Sequence, residues 1–280
     1  MKLFQALFWS IASVLCLNCS VLPERTYEPP EQGKMLAVAD LGPLYRSYTG
    51  LLQKYVQNGN VDYANMCKDP QLEMVMQGFR SVDPETIETT EQGLAFWINA
   101  YNAFTLDVIC LGYPVESIND LHGAGGLFTS TALGKTVWKI WEFPIGNKKY
   151  TLDEIEHDIL RPKYNDYRIH AGIVCASVSC PLLRSEAFVP ARVYDQLDEQ
   201  MREFLASELR NRIDPKTKTI YLSKIFKWFK EDFVDSNTPL LAVLWKYLPQ
   251  DWLAELISLE EVKANWRVEY MSYDWSLNGK

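Results

Sequence analysis

The stretch "TTEQGLAFWINAYNAFTLDVICLGYP", residues 89–114, constrains the fold of this chain most. Thr89 or Thr90 offers a helix cap, and Gly112 and Pro114 supply the stop. Leu94, Trp97, Ile98, Tyr101, Phe104, Thr105 and Val108 make one face of the predicted helix, while Ala95, Ala103, Leu106 and Ile109 leave much of the other face apolar too. A helix apolar nearly all round belongs in the centre of a core. It carries two amides, Asn99 and Asn102, at i and i+3 on its less bulky side. A buried amide left unpaired costs about 1–3 kcal/mol. Any fold built on this helix must therefore bring polar partners to one side of it.

The rest of the chain is sufficient to surround such a helix. It has 280 residues, 48 % of them hydrophobic and 13 % aromatic, which fits a globular protein with a substantial core. "PLYRSYTGLLQKYVQ" and "PQLEMVMQGFRSV" have helical periodicity, and "PARVYDQLDEQMREFLASELRN" is amphipathic. "TVWKIWEFPI" has strand propensity; Gly146-Asn147 is a turn; "KYTLDEIEHDIL" reads as a short strand leading to a helix capped by Thr151 or Asp153. The mainly apolar run Arg168 to Val174 fits a buried strand. "TKTIYLSKIFKWFKEDF" is a strand running into a helix, the segments around Leu240 and Trp252 are helical, and "NWRVEYMSYDWSLN" is a strand and aromatic tail. The expected fold class is α+β: a single domain, 38–280, whose central buried helix packs on a small, mainly antiparallel sheet, with a helical C-terminal part.

Residues 1–19 read as a signal peptide and 20–37 as a polar linker. The apolar run from Leu3 to Leu17 is shorter than the ~20 residues of a membrane span. Cys19 follows it, at the place of the lipid-modified cysteine of bacterial lipoproteins, so lipidation and ordinary signal cleavage both stay open. Export to the periplasm or to the outer membrane as a lipoprotein is expected, with membrane contact only through the lipid anchor. Cys67, Cys110, Cys175 and Cys180 would then meet an oxidising compartment, where one disulfide among them is in keeping with their number. The formal charge of −8 argues against a nucleic-acid partner.

Chemistry-bearing residues concentrate in "RIHAGIVCASVSCPLL", residues 168–183, which hold one of three histidines and two of six cysteines. A thiol nucleophile needs a base, and the base needs an orienting group. On an extended strand His170 and Cys175 face opposite ways. Cys180 follows the turn-like "ASVS", and a reversal there brings it back towards His170. The catalytic candidates are Cys180 as nucleophile, His170 as base, and Asn102 or Asn99 as orienter or oxyanion donor. Cys175, Glu156 and His157 are further pocket candidates. The plainer alternative makes His170 a hydrogen-bonded core residue and the two cysteines buried thiols or a small-loop disulfide. On a regular helix His157 and Arg161 pair at i and i+4 as part of a solvated, ion-paired face. No metal-binding spacing is present, and the glycine cluster 123–126 lacks the lysine and Ser/Thr of a phosphate loop, so no cofactor or metal is expected.

"VDYANM", "AFWINAYNAFTLDVI", "LDEIEHDILRP", "RIHAGIVCASVSCPLL", "SKIFKWFKEDF" and "YDWSLN", in this order, resemble the family called domain of unknown function 547, from Gly50 to Asn278. The family occurs in bacteria, worms and plants, and its name carries no reaction. "HAGIVC" is smaller than the "HFALNC" associated with the family, which removes a polar side chain at Val174. The resemblance implies that the Asn-bearing helix and the His-Cys-Cys stretch belong together. The order of elements is also similar to transglutaminase-like or papain-like folds, in which a cysteine begins the helix; here only Cys110, near its end, lies on it. The expected function is that of a thiol-dependent hydrolase or acyltransferase acting on an envelope peptide or amide. The competing expectation is a non-catalytic envelope module that binds a peptide or protein through aromatic anchors such as Trp138, Trp141 and Trp228. A redox role for Cys175 and Cys180 ranks behind both, because their spacing is wider than C-x-x-C.

Overall fold

Helix α3, Thr90–Gly112, starts with a reciprocal capping box between Thr89 and Gln92, and every residue from Gly93 to Ile109 is buried. The computed structural model that shows this describes residues 35–122, 136–234 and 238–280. The signal and lipidation site at Cys19, most of the linker and the glycine cluster lie outside the described residues. α3 is long and apolar enough to cross a membrane by composition, but here it is the core of the protein.

Helices α1 (Gly42–Tyr55) and α2 (Pro70–Arg80) pack on each other, and α2 packs on α3; each starts with a proline in its first turn. α1 buries Leu44, Tyr45, Tyr48, Leu51 and Leu52, and α2 buries Leu72, Val75, Met76 and Phe79. α2 also brings Arg80 into the core, 3.1 Å from Asp107 of α3 and 3.0 Å from Glu73. A disulfide joins Cys67, after the helical turn Tyr63–Met66, to Cys110 in the last turns of α3.

The expected α+β architecture is present, but among the described residues the β structure is divided into four small sheets. β1 (Leu36–Ala37) pairs in parallel with β4 (Val82–Asp83); β2 (Val56–Gln57) and β3 (Asn60–Val61) form one hairpin, and β5 (Phe143–Ile145) and β6 (Lys148–Tyr150) another. β7 (Arg212–Asp214) and β8 (Thr219–Leu222) are antiparallel, and β9 (Arg267–Tyr270) joins β8 in parallel. Residues 137–140, expected as strand, are a helical turn that runs into β5. Buried apolar residues form two clusters, one around α3 and one around β8 and the helical C-terminal part. Helix α4 (Val193–Ala206) joins them, giving Val193 and Leu197 to the first and Met201, Phe204 and Leu205 to the second. The second cluster is completed by α5 (Gln250–Leu256) and α6 (Leu259–Asn265).

Residues 168–174 are not a strand. Ile169–Gly172 is one helical turn, opened by Asp166, which accepts from the Arg168 amide at 3.0 Å. The chain then runs through the core without a strand partner, so its backbone groups must be satisfied otherwise. The two asparagines of α3 do this. Asn102 donates to the Gly172 carbonyl at 2.8 Å and accepts from the Val174 amide at 2.9 Å. Asn99 holds Phe188 in the same way, at 2.8 and 2.9 Å. Each side-chain amide substitutes for one rung of a sheet.

After β9 the aromatic tail crosses back to the first cluster. The Val178 amide bonds the Ser276 carbonyl, the Asn278 amide bonds the Ala176 carbonyl and the Val61 amide bonds the Asn278 carbonyl, at 2.8–3.0 Å. At Gly279 a Cβ would strike the Val61 carbonyl, so only glycine fits that crossing.

Candidate active site

The turn at Ala176, with φ +58°, doubles the chain back after Cys175, a conformation costly for a residue with a side chain. It brings Cys180 next to Cys175: the Cys175 amide donates to the Cys180 Sγ at 2.9 Å. Both thiols are free. They line a cavity of about 210 Å³ together with Tyr101, Glu156, His157, His170, Tyr273 and Trp275. The helix–turn segment, the α3 helix and the tail therefore meet at one place.

The two cysteines are not equivalent. Cys175 is half-buried and Cys180 is buried. Ser177 Oγ donates to the Tyr273 hydroxyl at 3.0 Å, which leaves the tyrosine proton for Cys175 Sγ, 3.1 Å away. Hydrogen bonding with the Cys180 thiol first, and then with Ser177, through its hydroxyl and its backbone amide, and Tyr273, outweighs burial and pulls the Cys175 thiol down to about 7. Burial, and then the neighbouring Cys175, push the Cys180 thiol well up. Of the two sulfurs it is Cys175, and not the expected Cys180, whose surroundings favour the thiolate. Cys180 is the buried donor that favours its thiolate.

His170 is buried, stacked on Phe229 at 4.1 Å. Its Nε2 lies 2.6 Å from Asp232 Oδ2. Burial lowers its pKa even though Asp232 acts the other way. The ring is thus neutral near pH 7, with its proton on Nε2 towards Asp232 and its Nδ1 lone pair free to accept. Asp232 is itself held by Arg161, whose Nε and Nη2 donate at 2.6 and 2.9 Å. Despite burial, the hydrogen bonds from His170 and Arg161 keep the Asp232 carboxyl well below the usual range. The orienting group of the histidine is this aspartate. Neither Asn99 nor Asn102 serves it, because both amides are spent on the backbone of Phe188, Gly172 and Val174.

Glu156 and Arg161 come from a π-helix, Ile155–Tyr164, that continues from a capping box at Thr151 and Glu154. Pro162 lies inside it and has no amide to give to Asp158, as an α-helix would require. Hydrogen bonding at i→i+5 puts Glu156 and Arg161, five residues apart, on one side. The expected i,i+4 pairing of His157 with Arg161 is absent: Arg161 turns to Glu231 and Asp232, and exposed His157 stands at the cavity edge, 6.3 Å from the Phe229 ring. Glu156 Oε1 is 4.0 Å from His170 Nδ1, and the Tyr101 hydroxyl donates to Oε2 at 3.4 Å. Burial pushes the Glu156 carboxyl up to about 8, so it is mostly protonated at neutral pH.

Sequence reasoning missed Asp232, Tyr273, Ser177, Tyr101 and Trp275 as site residues. Asp232 and Tyr273 stand in "KWFKEDF" and "YDWSLN", whose acidic and aromatic residues were the available signal. Among the described residues no group of three His, Cys, Asp or Glu side chains is placed to hold a metal ion.

The molecule is thus an α+β domain with an aromatic-walled thiol pocket, in which a low-pKa cysteine, a neutral histidine and a protonated carboxyl converge. The model of the family described as protein of unknown function, DUF547, matches residues 84–205 of the chain, in keeping with the resemblance read from the motifs. The match spans Glu156, His170, Cys175 and Cys180, whereas Asp232 and Tyr273 lie beyond it. No curated protein and no solved structure matches the chain.

Proposed function

We propose that the protein is a thiol-dependent hydrolase or acyltransferase with Cys175 as its nucleophile. One observation carries this reading: the cavity is lined by a thiol with pKa about 7, a histidine fixed in one tautomer, and a buried carboxylic acid. Cys175 sulfur attacks an acyl carbon, and the new S–C bond replaces the bond to nitrogen or oxygen. Glu156 gives its proton to the leaving group, and its carboxylate then takes one from the water or amine that attacks the thioester. The Cys175 thiolate leaves, and the carboxyl group is protonated again. His170 Nδ1 accepts the thiol proton when Cys175 enters the cycle un-ionised. An envelope location is part of the proposal. It is supported by the N-terminal apolar run and by the Cys67–Cys110 disulfide, which belongs to an oxidising compartment.

The test uses 4-nitrophenyl acetate with the disulfide intact. A nitrophenol burst of one equivalent, with acetyl on Cys175 by peptide mass spectrometry and lost in Cys175→Ala, is expected. Acetylation that never reaches Cys175, or a burst unchanged in Cys175→Ala, overturns the proposal.

A further inference from the structure

The charge and size of the cavity bear on what the thiol can take; this inference rests on the thiol reading. At about 210 Å³ the cavity holds a group the size of one side chain, below the several hundred Å³ typical of small-molecule pockets. One side of it is a continuous aromatic wall. Trp138 lies 5.9 Å from Trp275, Trp275 lies 4.5 Å from Tyr273, and Tyr273 lies 4.8 Å from Trp228. Aromatic faces carry negative charge density. Among the described residues no lysine or arginine lines the cavity, whereas Asp153 brings a carboxylate to it and Glu156 an uncharged carboxyl group. Among the described residues, three cations nearby are already engaged: Lys139 is 3.7 Å from Asp153, Arg161 is held on Asp232, and Arg210 grips the Cys180 carbonyl. The Cys175 thiolate adds a further negative charge where the acyl carbon must sit.

An anion entering this space loses its hydration and meets no counter-charge. A cation meets π-faces and a carboxylate. We propose that the site accepts a neutral or positively charged acyl residue and rejects a carboxylate or phosphate beside the scissile bond. Its substrates are then interior peptide bonds or side-chain amides, and not the bond before a free C-terminal residue.

The experiment compares thiol reagents that differ in charge. Methanethiosulfonates bearing a neutral methyl, an ethylammonium or an ethylsulfonate group are reacted with the disulfide-intact protein at pH 7. In each case Cys175 sulfur attacks the reagent's sulfenyl sulfur, a mixed disulfide forms and methanesulfinate leaves. Rates at Cys175, read by peptide mass spectrometry, are divided by those of 2-mercaptoethanol. The normalised cation-to-anion ratio is expected to exceed one by about tenfold, within the range a cation–π contact provides, and to narrow in Asp153→Asn. A ratio equal to that of the free thiol overturns the selectivity and leaves the thiol reading standing. Labelling no faster than in the urea-unfolded chain overturns both.

Discussion

Removing the Cys180 thiol should return Cys175 towards an ordinary cysteine. The Cys180 S–H is the largest of the influences that lower the Cys175 pKa to about 7, ahead of Ser177 and Tyr273. A hydrogen bond to a charged group contributes about 1.5–3 kcal/mol, or roughly one to two pKa units. A thiol is a weak donor, so the lower figure applies and the Cys180→Ala midpoint should rise by about one unit. The assay is iodoacetamide labelling of Cys175 against pH, read by peptide mass spectrometry. The midpoint is the quantity to measure, not the rate at neutral pH. A thiol of pKa about 7 is half ionised at pH 7, against about 3 % for an ordinary cysteine. Its lower intrinsic nucleophilicity takes back about fivefold of that advantage, leaving roughly threefold. The shift in midpoint suffers no such offset. Cys180→Ser, which restores a donor and an acceptor for the Cys175 amide, should keep the midpoint low. A Cys180→Ala midpoint within about 0.3 units of the parent would refute the reasoning, the expected shift being about one unit, and so would a parent protein in which Cys180 titrates first.

Two further outcomes follow from buried chemistry. Glu156→Gln should stabilise the protein at neutral pH: the folded carboxyl titrates near 8, above its unfolded value of about 4.3, so its contribution is intact below that value and lost as pH rises towards 8. The gain should be absent at pH 4 and on the order of 3 kcal/mol at pH 7; a melting-temperature difference flat across that range contradicts it. Replacing both Cys67 and Cys110 by serine opens a link between residues 43 apart in sequence. On the chain-entropy account the loss is about 4 kcal/mol in urea unfolding, and a change under about 1 kcal/mol would contradict it.

The central helix was legible because no pattern other than total burial fits residues 93–109, and its amides announced polar partners. Which partners they had was not legible. Asn102 bonds residues 70 and 72 positions away, and that contact is what lets 172–174 cross the core without a strand. The apolar, partly β-branched run from Ile169 to Val174 has no periodicity that separates a buried strand from a helical turn, and Asp166, the residue that decides, acts through its side chain. The π-helix was hidden for a related reason: heptad-like spacing is read at 3.6 residues per turn, and only Pro162 hinted that the ladder opens. The thiol pair and the reversal in "ASVS" were legible, but extended geometry turned Cys175 away from the cavity, because a strand was read where the chain makes a helical turn before the bend at Ala176.

Tyr273 stands 98 residues after the thiol it serves. At about 5–20 residues per second a ribosome needs on the order of 5–20 s to cover that interval. Through it Cys175 lacks the phenol that donates to its sulfur, and the wall that shapes its cavity is missing. Cys67 and Cys110 have by then both been made. The nascent chain therefore carries Cys175 without its phenolic donor while Cys67 and Cys110 are already present, and the surroundings of the thiol are completed only when residues 273–279 arrive.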